Sequence, residues 1–101
     1  MIDRHQAEQI AEALIQKESQ GSSYPIVIHR EATIEKDYGW IFFYNTEAFL
    51  QSEDFDFALV GNVPFVVERA TGAVHFLSTS PFFDIALANY EEGLRRSGTD
   101  A

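Results

Sequence analysis

Side chains able to do chemistry are sparse in this sequence. Its three histidines, His5, His29 and His75, form no ligand-spaced pair and stand beside no nucleophile. His5 reads as a solvated first-turn helix residue, and His75 as a strand residue facing solvent or a rim. Glu53-Asp54-Phe55-Asp56 gathers three carboxylates, as a hard cation requires, but the glycine and distal glutamate of a calcium loop are missing. A solvated acidic loop accounts for it better. Ser78-Thr79-Ser80 reads as strand exit and helix cap rather than as a nucleophile cluster. With no cysteine there is neither a disulfide framework nor a thiolate zinc site. The six glycines are scattered and make no phosphate-binding loop. The expectation is a protein without catalytic residues, metal or cofactor.

The hydrophobic pattern defines the elements that carry these residues. Ala7, Ile10, Ala11, Leu14 and Ile15 share one stripe of a helix, Asp3 and Gln6 resemble a capping box at its start, and Gly21 to Pro25 stops it. Ile26 to Lys36 reads as a strand that becomes polar toward an edge, and Tyr38-Gly39 as a turn. Trp40 to Asn45 forms a second strand. Thr46 to Val63 fits neither period and predicts a turn of helix within an ordered excursion. Pro64 opens a third strand, and Phe65–Arg69 and Ala73–Leu77 flank a hairpin with Gly72 in a left-handed bulge position. Ser80 and Pro81 then read as N-cap and first residue of a C-terminal helix, with Phe82, Ile85, Ala86, Asn89, Tyr90 and Leu94 on its apolar side. The fold class is α+β, a four-stranded antiparallel sheet with the N- and C-terminal helices packed on one face. The chain reads as one domain over residues 1–101.

One segment strains that scheme. In Tyr38 to Asn45, YGWIFFYN, strand alternation sends Trp40, Phe42 and Tyr44 one way and Ile41 and Phe43 the other, so both faces are apolar. One face belongs to the helix-covered core; the other is expected to be partly covered by the acidic excursion. Two-fold self-association, a homodimer, competes as the cover.

Composition excludes several function classes. A content of 46% hydrophobic and 14% aromatic residues is too high for a disordered acidic tail, despite a net charge of -9. That charge opposes nucleic acids and anionic membranes over a Debye length of about 8 Å. No apolar run approaches the roughly 18 residues of a membrane span, and no signal peptide is legible, so a soluble cytoplasmic protein is expected. Between Lys36 and Arg69 there is no lysine or arginine, while Asp37, Glu47, Glu53, Asp54, Asp56 and Glu68 interleave with aromatics. Two explanations stay open: an acidic, aromatic surface for a basic protein, or core aromatics with solubilising acids.

Gly39-Trp40, Gly61-Asn62-Val63-Pro64-Phe65, Thr71-Gly72 and Leu77-Ser78-Thr79, in that order, resemble the immunity protein 35 family, the YrhB-like proteins. The likeness runs from about Tyr24 to Tyr90. It implies an α+β immunity domain of bacterial polymorphic toxin systems, encoded beside a toxin or effector that it neutralises by binding, without catalysis. Trp40, Gly61, Pro64 and Gly72 become fold-defining motif positions. The chain departs from shorter members between Arg30 and Asp37 and between Gln51 and Phe57. Under this resemblance Glu53, Asp54 and Asp56, with Phe55 and Phe57, are expected to face the toxin. A chaperone-like or general protein-binding module is the alternative.

Overall fold

The computed structural model describes residues 1–59, 62–77 and 83–99. Along the chain lie α1 (Arg4–Ser19), β1 (Ile26–Ile28), a 3₁₀ turn (Arg30–Ala32), β2 (Ile34–Lys36), β3 (Gly39–Phe42) and β4 (Tyr44–Thr46). There follow α2 (Glu47–Ser52), a second 3₁₀ turn (Phe55–Phe57), β5 (Phe65–Glu68), β6 (Val74–Phe76) and α3 (Phe83–Thr99). The α+β class, the four-stranded antiparallel sheet and the two terminal helices are as the sequence implies. The sheet has the order β2-β3-β5-β6, and β1 pairs with β4 in a separate two-stranded ladder.

Those ladders are two halves of one bent hairpin. Ile28 pairs with Tyr44, and the next pairing beyond the break is Ile34 with Ile41. Residues 29–33 on one arm therefore stand opposite only Phe42 and Phe43 on the other. The surplus is taken up by the 3₁₀ turn, so the expected single strand from Ile26 to Lys36 is two strands, and the expected strand from Trp40 to Asn45 is divided at Phe43 into β3 and β4. The ladder closes on either side of the surplus, with His29 N donating to Phe43 O at 2.8 Å. Arg30, at the crest, turns onto α1 and pairs with Glu12 and Glu8.

The terminal helices do not share a face. Ala7, Ala11 and Ile15 of α1 pack on Trp40, Phe42, Phe65 and Val67. Ala86 of α3 packs instead with Ile41, Val66 and Leu77, the opposite parity of the same strands. Trp40, Ile41 and Phe42 are each no more than 1% exposed. Burying both parities of a strand requires a cover on each side, and here the chain supplies both covers itself. The second apolar face of YGWIFFYN thus lies under α3, and not under the acidic excursion.

Local chemistry sets the helix ends and registers. Asp3 Oδ1 accepts from Gln6 N at 2.8 Å and Gln6 Oε1 from Asp3 N at 3.0 Å, the anticipated capping box. The apolar side of α3 is rotated from its expected position: Phe83, Ala86, Leu87 and Tyr90 face the sheet, while Ile85 and Asn89 are exposed. Aromatic contacts choose between two nearly equal stripes, with Phe83 on Phe43 at 5.2 Å and Tyr90 on Tyr38 at 5.6 Å. Gly61, Ser80, Pro81 and Phe82 lie outside the described residues. Pro64 stands just before β5, its carbonyl accepting from Leu77 N at 2.9 Å.

Two glycines are dictated by geometry. A Cβ on Gly39 would sit 2.1 Å from Val67 O, so no other residue permits this β3–β5 approach. Gly72 has φ +81° in the β5–β6 turn, the left-handed conformation expected from the sequence. Arg69 locks the neighbouring turn, donating to Lys36 O at 2.9 Å and Asp37 O at 3.1 Å while its guanidinium lies 4.3 Å from the centre of the Trp40 ring.

Candidate protein-binding groove

The excursion after β4 is held by hydrogen bonds from a few polar side chains rather than by deep burial. Thr46, 3% exposed, is the pivot. Its Oγ1 accepts from Phe49 N at 3.0 Å, capping α2, and donates to Phe57 O at 2.6 Å. Asn45 Oδ1 accepts from Leu59 N at 2.9 Å, tying down the far end. Asn62 Nδ2 donates to Tyr44 O at 2.8 Å, and the Tyr44 hydroxyl accepts from Val63 N at 3.2 Å. Burial raises the Tyr44 phenol above its ordinary value, the Val63 N–H opposes this, and the Glu18 charge adds to it. The hydroxyl is therefore a neutral structural link.

The five residues expected to contact a partner are contiguous but differ in their tasks. Glu53 ends α2 in the left-handed conformation at φ 60°, its N–H donating to Phe49 O at 2.7 Å. Asp54 Oδ1 accepts from Asp56 N at 3.0 Å and so caps the second 3₁₀ turn. Phe55 is 83% exposed, with its ring against Phe49 at 5.6 Å. Phe57 turns inward, edge-on to Tyr24 at 5.2 Å. Glu53, Asp54 and Asp56 are exposed, and among the described residues no basic side chain forms an ion pair with them. No group of three or more acidic or histidine side chains has a metal-holding arrangement among the described residues.

Beside the excursion runs a groove of about 680 Å³. Phe43, Tyr44 and Asn45 line it from the strand, Phe49, Leu50, Glu53 and Phe55 from α2 and beyond, and His29 and Glu31 from the first 3₁₀ turn. A smaller hollow of about 270 Å³ continues it past Glu47 and Gln51. Of the five residues expected to face a partner, Glu53 and Phe55 line this groove and Asp54, Asp56 and Phe57 do not, while His29, Glu31, Phe43 and Asn62 line it without any sequence signal for it. Only the bend in the hairpin brings Glu31 to it, and no local pattern announces that bend.

The other two histidines and Tyr38 lie away from the groove. His75 Nε2 lies 2.8 Å from Glu68 on the sheet surface, and His5 is exposed on α1. Tyr38 donates to Glu91 at 2.8 Å; burial first, then that bond and the Glu91 charge, push its phenol well above the usual range. Among the described residues, no helix is long and apolar enough to cross a membrane.

Over residues 5–93 the chain matches the family model described as immunity protein 35. It is similar to the Escherichia coli (strain K12) protein named "Uncharacterized protein YrhB", with 31% identity over 67 residues, covering 66% of this chain and 69% of that protein. No solved structure matches the chain.

Proposed function

The chain belongs to the immunity protein 35 family, and from that premise we propose that it is a single-domain, cytoplasmic immunity protein. It binds and neutralises a cognate bacterial toxin or effector by protein–protein contact and catalyses nothing. The supporting observation is the surface of the excursion: exposed Phe55 surrounded by Glu53, Asp54 and Asp56, none of them engaged by a basic side chain among the described residues. Exposed aromatics supply affinity at interfaces, and unpaired carboxylates steer a basic partner toward them. With a net charge of -9, long-range attraction favours a basic toxin surface over nucleic acid or membrane.

The chaperone-like alternative and the homodimer drew their appeal from a bare apolar sheet face. At β3 and β5 both faces are buried within the chain, so that support is gone.

The test is copurification with the product of the adjacent gene, and rescue of cells from its toxicity. The wild-type chain is expected to bind and rescue. Replacing Glu53→Lys and Asp56→Lys together, with the capping Asp54 kept, should weaken binding roughly tenfold or more at unchanged thermal stability. No binding and no rescue by the wild type removes the proposal for that pair.

A further inference from the structure

We infer, resting on the neutralising role above, that the groove between the first 3₁₀ turn and α2 receives a loop of the toxin that carries an arginine. Its aromatic lining, Phe43, Tyr44, Phe49 and Phe55, is shared with two carboxylates from separate elements, Glu31 of the first 3₁₀ turn and Glu53 at the end of α2. Both acids are exposed. Glu31 has His29 at 3.7 Å as its ion-pair neighbour among the described residues. Arg30, the adjacent cation, is turned away onto Glu12 and Glu8 of α1. The groove therefore offers negative charge and aromatic surface with no arginine or lysine among its described lining residues, Arg30 bordering only the smaller hollow beyond it.

An arginine answers both features at once. Its planar guanidinium stacks on aromatic rings and pairs with carboxylates in a fixed fork, and its stem covers apolar surface. At about 680 Å³ the groove lies within the roughly 300–1,000 Å³ typical of binding pockets, room for a loop tip rather than a lone ion. A second copy of this chain suits it poorly, because a partner of charge -9 would bring like charge to an acidic rim. Glu31 thereby becomes a specificity-determining residue, outside the 53–57 stretch and on a separate element of the groove lining.

The test compares the wild type, Glu31→Lys and Asp37→Lys for affinity to the adjacent gene's product at low and physiological salt, with thermal melts confirming that each folds. Asp37 is an exposed acid in the β2–β3 turn and controls for net charge. Glu31→Lys should lose affinity roughly tenfold or more, and Asp37→Lys should stay within about twofold. If the wild type binds and Glu31→Lys binds equally well, the groove assignment falls while the neutralising role stands. If the wild type does not bind, that role fails for the pair, and the groove is probed by itself with the peptide acetyl-Gly-Arg-Phe-Gly-amide. Amide shifts confined to residues 29–31, 43–45 and 49–55, absent with a glutamate-for-arginine peptide and lost in Glu31→Lys, support it; no shifts there overturn it. Sedimentation as a dimer that Glu31→Lys dissociates also overturns it, by making the occupant a second copy.

Discussion

Phe42 in β3 is fully buried between α1 and the neighbouring strand, whereas Phe55 in the excursion keeps 83% of its surface exposed. Both belong to aromatic-rich stretches, and hydropathy alone does not separate them. At the centre of the sheet, order comes from covering apolar area on both sides. In the excursion, order comes from Thr46, Asn45 and Asp54, which occupy backbone groups that the short α2 and the 3₁₀ turn leave without partners. The difference separates two duties. The sheet carries the stability, and the excursion can present side chains to a partner without burying them first.

Truncation at the centre of the sheet should have the largest effect. Phe42→Ala is expected to remove about 3–5 kcal/mol, because a rigid neighbourhood of Trp40, Phe65 and α1 cannot collapse onto the void. Against a total of about 5–15 kcal/mol, that leaves a marginal protein, readable as a large fall in denaturation midpoint. A small loss would mean that the two-sided core is not the main source of stability.

An intermediate effect should follow Thr46→Val, which keeps the shape but removes the hydroxyl that both accepts from Phe49 N and donates to Phe57 O. The expected cost is about 1–3 kcal/mol. Hydrogen exchange should quicken at the amide of Phe49 and in the following turn while the β3 and β5 amides stay protected. Equal acceleration in both regions would merge them into one cooperative unit and break the comparison.

The smallest effect on folding should come from Phe55→Ala, within about 0.5 kcal/mol, because the ring contributes little to the core. Its effect on toxin affinity should be far larger, about 2 kcal/mol if the ring anchors the interface, measurable by calorimetry on the same sample. A ring that stabilises the fold and leaves affinity unchanged would reverse the assignment of duties.

Much of the architecture was legible from short-range chemistry. The Asp3–Gln6 capping box, the α1 stripe from Ala7 to Ile15 and the turn at Gly72 each depend on residues within a few positions of one another. The solvation of Glu53, Asp54 and Asp56 follows from their charge, whereas the same run did not distinguish exposed Phe55 from the partly buried Phe57. The face that α3 covers was not legible: its two candidate stripes share Ala86 and Tyr90, and only Phe43 and Tyr38 on the sheet select between them. Nor was the hairpin bend, since residues 29–33 carry no turn pair and the surplus exists only relative to the opposite strand.

The sequence by itself determined the apolar stripe of α1, the turn at Gly72, the apolar character of both faces of β3 and the net charge of -9. Tertiary structure alone decided that α1 and α3 divide the two faces of the sheet, and that Glu31 and Glu53 line one groove. The physical reason is range. Capping, alternation and net charge are properties of neighbours or of the whole chain, whereas helix placement and the groove arise where distant segments compete to cover the same surface.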